Sequence, residues 1–221
     1  MGIAYNTSMI SDGLIYALDA ANTRSYSGSG ITANSLVGGT GSTLVNGVGF
    51  TSTNSGSFVF DGSNDFILKP ADSLFDFGTG NFTISSWVKT SNLSYSTIFG
   101  LDDTGGGGGI YIYTNQFDGV MRTWVAGVSF NGNTVISNGI WHLISVVRLS
   151  NTIYQYVDTT MSGSFSATGS ILTNQKMSIG RVTDGSYPFL GNISQTIVYN
   201  RALSAQEIRQ NYNATKKRYG L

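Results

Sequence analysis

The chain has 221 residues, of which only 11% are charged; twelve basic side chains balance twelve acidic ones, and Cys is absent. A charged fraction so far below the usual quarter, with no basic surplus, excludes a nucleic-acid binder held by phosphate contacts, and the lack of Cys excludes disulfide frameworks and thiolate metal sites. Twenty-nine glycines and abundant aromatics against two prolines describe a chain that buries much surface and has little charge repulsion to keep copies apart. No basic segment followed by an apolar core lies near Met1, and no apolar run approaches the ~20 residues of a spanning helix, so a soluble chain without a cleaved export signal is expected.

In chain order, residues 1–12 show no period and read as an arm that orders on a partner. A strand follows at 13–19. From 21 to 54 the text is Ser, Thr, Gly and Asn, with apolar islands at Leu36-Val37 and Leu44-Val45, and reads as loop with brief strands. Strands are then predicted at 57–60, 65–69, 81–89, 96–101, 110–115, 120–130, 140–149, 152–158, 161–167, 177–181 and 190–199, the spacing of a sandwich. In the strand from Asn81, Phe82, Ile84, Ser86 and Val88 share one face, and Thr83, Ser85, Trp87 and Lys89 the other. Trp87 thus stands on an otherwise polar face, either partly exposed or packed beneath a covering loop or sheet edge. Ser204 with Glu207 is a capping box that opens a short helix over 204–215, with Ile208 and Tyr212 one turn apart.

From Arg201 onward there are five basic residues against Glu207, a surplus of four, so the preceding body carries four excess negative charges. The ending Lys216-Lys217-Arg218 reads either as a basic tail for an acidic neighbouring subunit or as a solvated helix end that complements the dipole.

Several stretches carry a family resemblance. They are Phe58-Val59-Phe60-Asp61-Gly62-Ser63-Asn64-Asp65-Phe66-Ile67; Phe82-Thr83-Ile84-Ser85-Ser86-Trp87-Val88; Trp141-His142-Leu143-Ile144; Ile179-Gly180-Arg181; Phe189-x-Gly191-x-Ile193; and Val198-Tyr199-Asn200-Arg201-Ala202-Leu203-Ser204-x-x-Glu207-Ile208. In wording and order they resemble a laminin-G-like domain of the concanavalin A-like lectin/glucanase superfamily. The resemblance implies an all-β, two-sheet antiparallel jelly-roll sandwich with a short C-terminal α-helix, filling residues 13–221 as one domain with a basic tail. Both termini also resemble laminin-G-like proteins of tailed bacteriophages, through Met1-Gly2-Ile3-Ala4-Tyr5, Leu18-Asp19-Ala20-Ala21-Asn22 and Gln210-Asn211-Tyr212-Asn213-Ala214-Thr215.

The chemistry is mostly a record of absences. Paired-carboxylate glycoside hydrolysis needs an acid and a second carboxylate across the sugar, yet Glu207 is the single Glu and caps a helix. His142, the sole His, follows Trp141 in what the resemblance makes a structural pair, and no Gly-x-Ser-x-Gly elbow accompanies it. The Gly105-to-Gly109 run lacks the Lys-Ser/Thr ending of a phosphate loop and leads into the strand at Ile110, so a hairpin tip is expected. No cofactor and no enzymatic activity are expected. Calcium is the one metal weighed: Asp61 and Asp65, or Asp102 and Asp103, supply hard oxygen ligands, although no Asp-x-Asp-x-Asp spacing occurs. The Asp61-Gly62 pair reads more simply as a turn closing a hairpin. At the family's Gly-x-Ile-Asp position this chain has Gly191-Asn192-Ile193-Ser194, which removes that Asp.

Two functional expectations result. The first is a virion structural protein made in a host cytoplasm, a capsid decoration or a head or tail fibre component, whose partners are other virion subunits and copies of itself. The second is a lectin-like adhesin that binds host-surface glycans, in which Tyr111, Tyr113 and Trp124 stack on sugar rings. Neither involves nucleic acid or membrane.

Overall fold

In the computed structural model, residues 8–38, 41–102 and 107–221 are described. The first half supplies β1 (Leu14–Asp19), β2 (Thr32–Asn34), β3 (Gly41–Val45), β4 (Gly49–Thr51), β5 (Ser57–Asp61), β6 (Phe66–Lys69), β7 (Phe82–Lys89) and β8 (Ser96–Leu101). The second supplies β9 (Ile110–Thr114), β10 (Val120–Val125), β11 (Val128–Val135), β12 (Trp141–Leu149), β13 (Thr152–Val157), β14 (Thr160–Ser166), β15 (Met177–Ile179), β16 (Leu190–Tyr199) and α1 (Ala205–Thr215). A 3-10 turn, Lys216–Tyr219, continues from the helix.

These strands make two eight-stranded antiparallel sheets. One runs β14-β13-β12-β7-β16-β5-β4, with β1 also on β16; the other runs β11-β10-β9-β8-β15-β6-β3-β2. On the edge away from β7, strand β16 serves two partners because a bulge near Ser194 divides it: Leu190 to Ile193 pair with β5, and Gln195 to Tyr199 pair with β1. Alternation sends Phe82, Ile84 and Val88 inward, where they meet Ile67, Ile98, Leu101, Ile112, Met121 and Ile179 of the other sheet in one apolar core.

The expected strands are present, with three differences. The single strand expected over 120–130 is a hairpin, because Ala126 and Gly127 both take positive φ, the geometry of a two-residue turn. Leu36 and Val37 form no strand; the Leu36 N–H bonds Ala17 O, and both side chains pack on the outside of the first sheet. Asp61-Gly62 closes no hairpin, since β5 and β6 lie in different sheets and the turn carries the chain across the sandwich.

Trp87 is fully buried. Its face of the first sheet is covered by α1 and the turn after it. Tyr219 stacks on Trp87 with ring centroids 4.1 Å apart, Tyr212 lies on it at 5.5 Å, and the indole N–H donates to Thr215 Oγ1 at 2.9 Å. Tyr219 also touches Trp141 at 4.8 Å. Ile208 and Leu203 bury against Ala17, Val147, Ile197 and Tyr199 on the same face, so a third layer stands over that sheet.

The basic ending is therefore no free tail. Arg218 forms a fork with buried Asp19, with contacts of 2.9 to 3.1 Å, and Asp19 also accepts from Gln195 Nε2. Of the expected arm, 1–7 lie outside the described residues, and 8–10 bond to their own chain. Gln210 Nε2 donates to Ser8 O, the Ile10 N–H to Asn211 Oδ1, and the Tyr199 hydroxyl to Ile10 O.

The capping box forms as the spacing predicts: Ser204 Oγ accepts from the Glu207 N–H at 3.2 Å, and Glu207 Oε2 accepts from the Ser204 N–H at 2.8 Å. Arg201 Nη2 donates to Glu207 Oε1 at 2.7 Å while Arg201 Nε reaches Asp12. The Arg201 guanidinium, helped by the Ser204 donors, holds the Glu207 carboxyl down at about 2 against an ordinary 4.5. A depressed carboxyl contributes stability that is present above pH ~4.5 and lost as pH falls through ~2. Urea-unfolding midpoints measured from pH 7 to pH 2 should therefore fall less in Glu207→Gln than in the parent below pH 4.5; parallel curves would show that the ion pair adds nothing.

Candidate functional site

Among the described residues no helix covers the second sheet, and its outer face holds an aromatic groove. In β9, Tyr111 and Tyr113 point outward between inward Ile110, Ile112 and Thr114. Register places Trp124 of β10 opposite Tyr111, and Arg122 opposite Tyr113. Opposite residues share a face, so four outward side chains form a block two strands wide. The turn over 115–119, in which the Asn115 N–H bonds Val120 O and the Gly119 N–H bonds Asn115 O, joins the two strands in that register.

The loop over 181–188 builds the wall. Asp184 Oδ1 accepts the Ser186 N–H at 2.7 Å and the Gly185 N–H bonds Val182 O, a tight local turn. Tyr187 follows in the left-handed region, φ +54, its carbonyl accepting from the Thr97 N–H of β8. A non-Gly residue held there, ahead of Pro188, is a strained placement that the anchoring bond sustains. Tyr187 thereby stacks on Tyr113 at 6.2 Å with planes 13° apart, and Tyr95 meets both edge-on. Tyr111 and Trp124 form the second aromatic pair, at 5.1 Å. Together Tyr111, Tyr113, Trp124, Val182, Asp184 and Tyr187 enclose about 230 Å³ of open-sided groove.

Its electrostatics are mixed. The Tyr111 hydroxyl donates to Asp102 Oδ2, a buried carboxylate, and the Asp102 backbone carbonyl accepts from Thr183 Oγ1. Burial first, and then this carboxylate, push the Tyr111 phenol well above its ordinary value, so it stays protonated. Burial raises Tyr113 also, opposed by Arg122. The Arg122 guanidinium lies 5.8 Å from the Tyr95 ring and 5.7 Å from the Tyr113 ring, and its Nη2 donates to Ser129 Oγ. Rings, a fixed phenol, an exposed carboxylate and a guanidinium make a surface suited to stacking and hydrogen bonding.

Sequence reasoning placed Tyr111, Tyr113 and Trp124 on one surface, and the structure brings all three together. It missed Tyr187, Asp184, Tyr95 and Arg122. The signal available was the Asp184-Gly185 turn with an aromatic just before Pro188, but nothing in that text says which strand the loop lies against.

Among the calcium candidates, Asp102 is the buried acceptor of the Tyr111 hydroxyl and Asp103 lies outside the described residues. Asp61 and Asp65 share one turn: Asp65 Oδ2 accepts the Asp61 N–H at 3.1 Å, and Asp61 Oδ1 accepts the Ser63 N–H. Asp65 is buried, which raises its pKa, and the Asp61 charge adds to the rise. No group of three or more His, Cys, Asp or Glu close enough to hold a metal occurs among the described residues. His142 has both ring nitrogens engaged, Nδ1 with Asp158 Oδ2 at 3.0 Å and Nε2 with Asn138 Oδ1 at 3.1 Å. Of the Gly105-to-Gly109 run only 107–109 are described, between β8 and β9.

A layered sandwich of this topology with an aromatic groove on its open sheet defines a lectin-type jelly roll. The family model for Laminin G 3 of the concanavalin A-like lectin/glucanases superfamily matches residues 60–209, and the chain belongs to that family. No curated protein matches the sequence. Similar solved structures include the binding domain of Paraclostridial Mosquitocidal Protein 1, with TM-score 0.71 and 17% identity over 92% of this chain and 52% of that one. Domain 4 of AbnA, an extracellular arabinanase from Geobacillus stearothermophilus in complex with arabinotriose, has TM-score 0.71 and 17% identity, covering 90% and 98%. Trypanosoma rangeli sialidase in complex with sialic acid has TM-score 0.71 and 14% identity, covering 96% of this chain and 34% of the sialidase. This chain thus spans about half of the mosquitocidal binding domain and a third of the sialidase, and nearly all of the arabinanase domain.

Replacing Tyr111 with Phe removes one donor from a buried carboxylate. A stability loss of about 1.5–3 kcal/mol is expected, read from the urea midpoint; an unchanged midpoint would mean that other groups satisfy Asp102.

Proposed function

We propose that the chain is a non-enzymatic, carbohydrate-binding lectin-like module whose ligand lies in the groove of Tyr111, Tyr113, Trp124 and Tyr187. The observation that carries this reading is the pre-built aromatic block that the described residues leave open on one sheet, while the C-terminal layer covers the apolar part of the other sheet's outer face. Sugar rings present apolar C–H faces that stack on such rings, and Asp184 and the Tyr111 phenol are placed to bond hydroxyls. Support comes from the arabinotriose-bound arabinanase domain, a neighbour of nearly the same extent. The test is a glycan array followed by calorimetry with the best oligosaccharide and with arabinotriose. Trp124→Ala and Tyr113→Ala should each weaken binding about tenfold or more, equivalent to ~1.4 kcal/mol, while the urea midpoint shows the fold retained. Absence of any binding glycan, or variants that bind as the parent does, would sink the reading.

A second reading places this module in a bacteriophage virion as a capsid decoration or fibre component, alongside copies of itself. It rests on the terminal wording shared with phage laminin-G-like proteins and on the 11% charged fraction. Its mechanism excludes Arg218 as a free hook, since that side chain is committed to Asp19. Sedimentation of the purified chain should then show concentration-dependent oligomers; a monomer at every concentration up to hundreds of micromolar would remove self-association.

A further inference from the structure

A second groove lies on the other side of the sandwich, where the C-terminal layer ends. Across the outer face of the first sheet, Trp141 of β12 is opposite Lys89 of β7, and Lys89 is opposite Asn192 of β16. Ser57 of β5 is opposite Thr51 of β4. These side chains form a row across five strands, and with Thr53 and Asn54 they line about 220 Å³.

The wall of this groove is held with care. Asn54 and Ser55 are consecutive non-Gly residues at φ +56 and +69, a strained pair. Asn54 bridges the site to the C-terminal layer: its Oδ1 accepts from the Trp141 indole N–H at 3.3 Å and its Nδ2 donates to Arg218 O at 3.2 Å. Asn192 Nδ2 donates to Ser57 Oγ at 3.1 Å. The chain has thus fixed an indole, two amides and hydroxyls around an opening that none of them fills.

Charge decides what suits it. Lys89 is the one ionised side chain in the lining, and it makes no ion pair or hydrogen bond among the described residues. Lys69, Arg201 and Arg218, by contrast, each face a carboxylate. An ammonium beside amide and hydroxyl groups complements a small anion that also carries hydroxyls. The volume falls below the ~300–1,000 Å³ of sites for drug-sized ligands, so one ring fits better than a chain.

We propose that this groove binds the carboxylate of an acidic sugar, a uronic acid residue, with Lys89 meeting the carboxylate and Asn192 and Thr51 meeting hydroxyls. Because Lys89 is exposed, the interaction is weak and salt-sensitive. The site is independent of the aromatic groove and stands whether or not that groove binds glycans.

The experiment is a two-dimensional amide NMR titration of the full chain with galacturonic acid, with galactose and sodium sulfate as separate controls. Galacturonic acid should shift the Trp141 indole and Asn192 side-chain signals, galactose should leave them in place, and added salt should weaken the response. Lys89→Gln should reduce the apparent affinity at least fivefold, and Lys89→Arg should restore most of it. Equal shifts with galactose would remove the charge argument. Equal shifts with sulfate would reduce the site to a general anion contact and overturn the acidic-sugar assignment. Shifts confined to Tyr111, Tyr113 and Trp124, or a Lys89→Gln variant that titrates as the parent does, would overturn the site itself.

Discussion

The stacking of Tyr219 on Trp87 is the contact on which the layout of this molecule depends. A two-sheet sandwich ordinarily exposes the outer face of each sheet, and alternating polar residues suffice there. Here the outer face of the first sheet carries Trp87, Trp141, Leu143, Val147, Ile197 and Tyr199, an apolar area that water would not tolerate. The helix and turn at the C-terminal end meet that demand. Once they are seated, the two sheets cease to be equivalent, one having the apolar part of its outer face covered and the other keeping its aromatic groove open.

Polar groups are organised by the same event. Asp19 is buried, and Arg218 from the far end of the chain is the cation that faces it. A buried carboxylate without that partner would be costly. Thr83 Oγ1 donates to Arg201 O and accepts the Leu203 N–H, tying the entry to α1 onto β7. A different solution is used at the other end of the sandwich. Arg148 is fully buried and meets no carboxylate among the described residues; it donates to the carbonyls of Gly78, Ser150, Ala167 and Gly169. Four bonds to neutral acceptors gather three loops around one guanidinium, whose desolvation lowers its pKa.

Features encoded by neighbouring residues were legible in the sequence. Alternation marked most strands, and the Ser204–Glu207 spacing marked the helix start, because each signal lies within a few residues. The Tyr111, Tyr113 and Trp124 surface was legible for a similar reason: strand period fixes which side chains share a face. What the text hid depends on distant pairing. Counting charge from Arg201 onward cannot reveal that Arg218 meets an aspartate 199 positions earlier. Nor could periodicity choose between an exposed and a covered Trp87, since the cover arrives from Tyr212, Thr215 and Tyr219. The turn at Ala126–Gly127 was missed because Ala is an unusual residue at positive φ, so the apolar text on both sides read through it. Tyr187 was hidden because its loop folds onto strand β8, more than eighty residues before it.

The three tryptophans occupy environments that no engineered label would improve on. Trp87 is shut away beneath the C-terminal layer and Trp141 is buried at the edge of that layer, where it also lines the second groove; both indole N–H groups are bonded inside the protein, whereas Trp124 stands half open in the aromatic groove. Intrinsic emission therefore divides into two origins. A blue-shifted component, closed to collisional quenchers, comes from the clasp, and a red-shifted, quenchable one comes from the groove. Arrival of a guest in the groove and release of the C-terminal layer would change different parts of one spectrum, so the unmodified molecule carries its own two-channel optical readout.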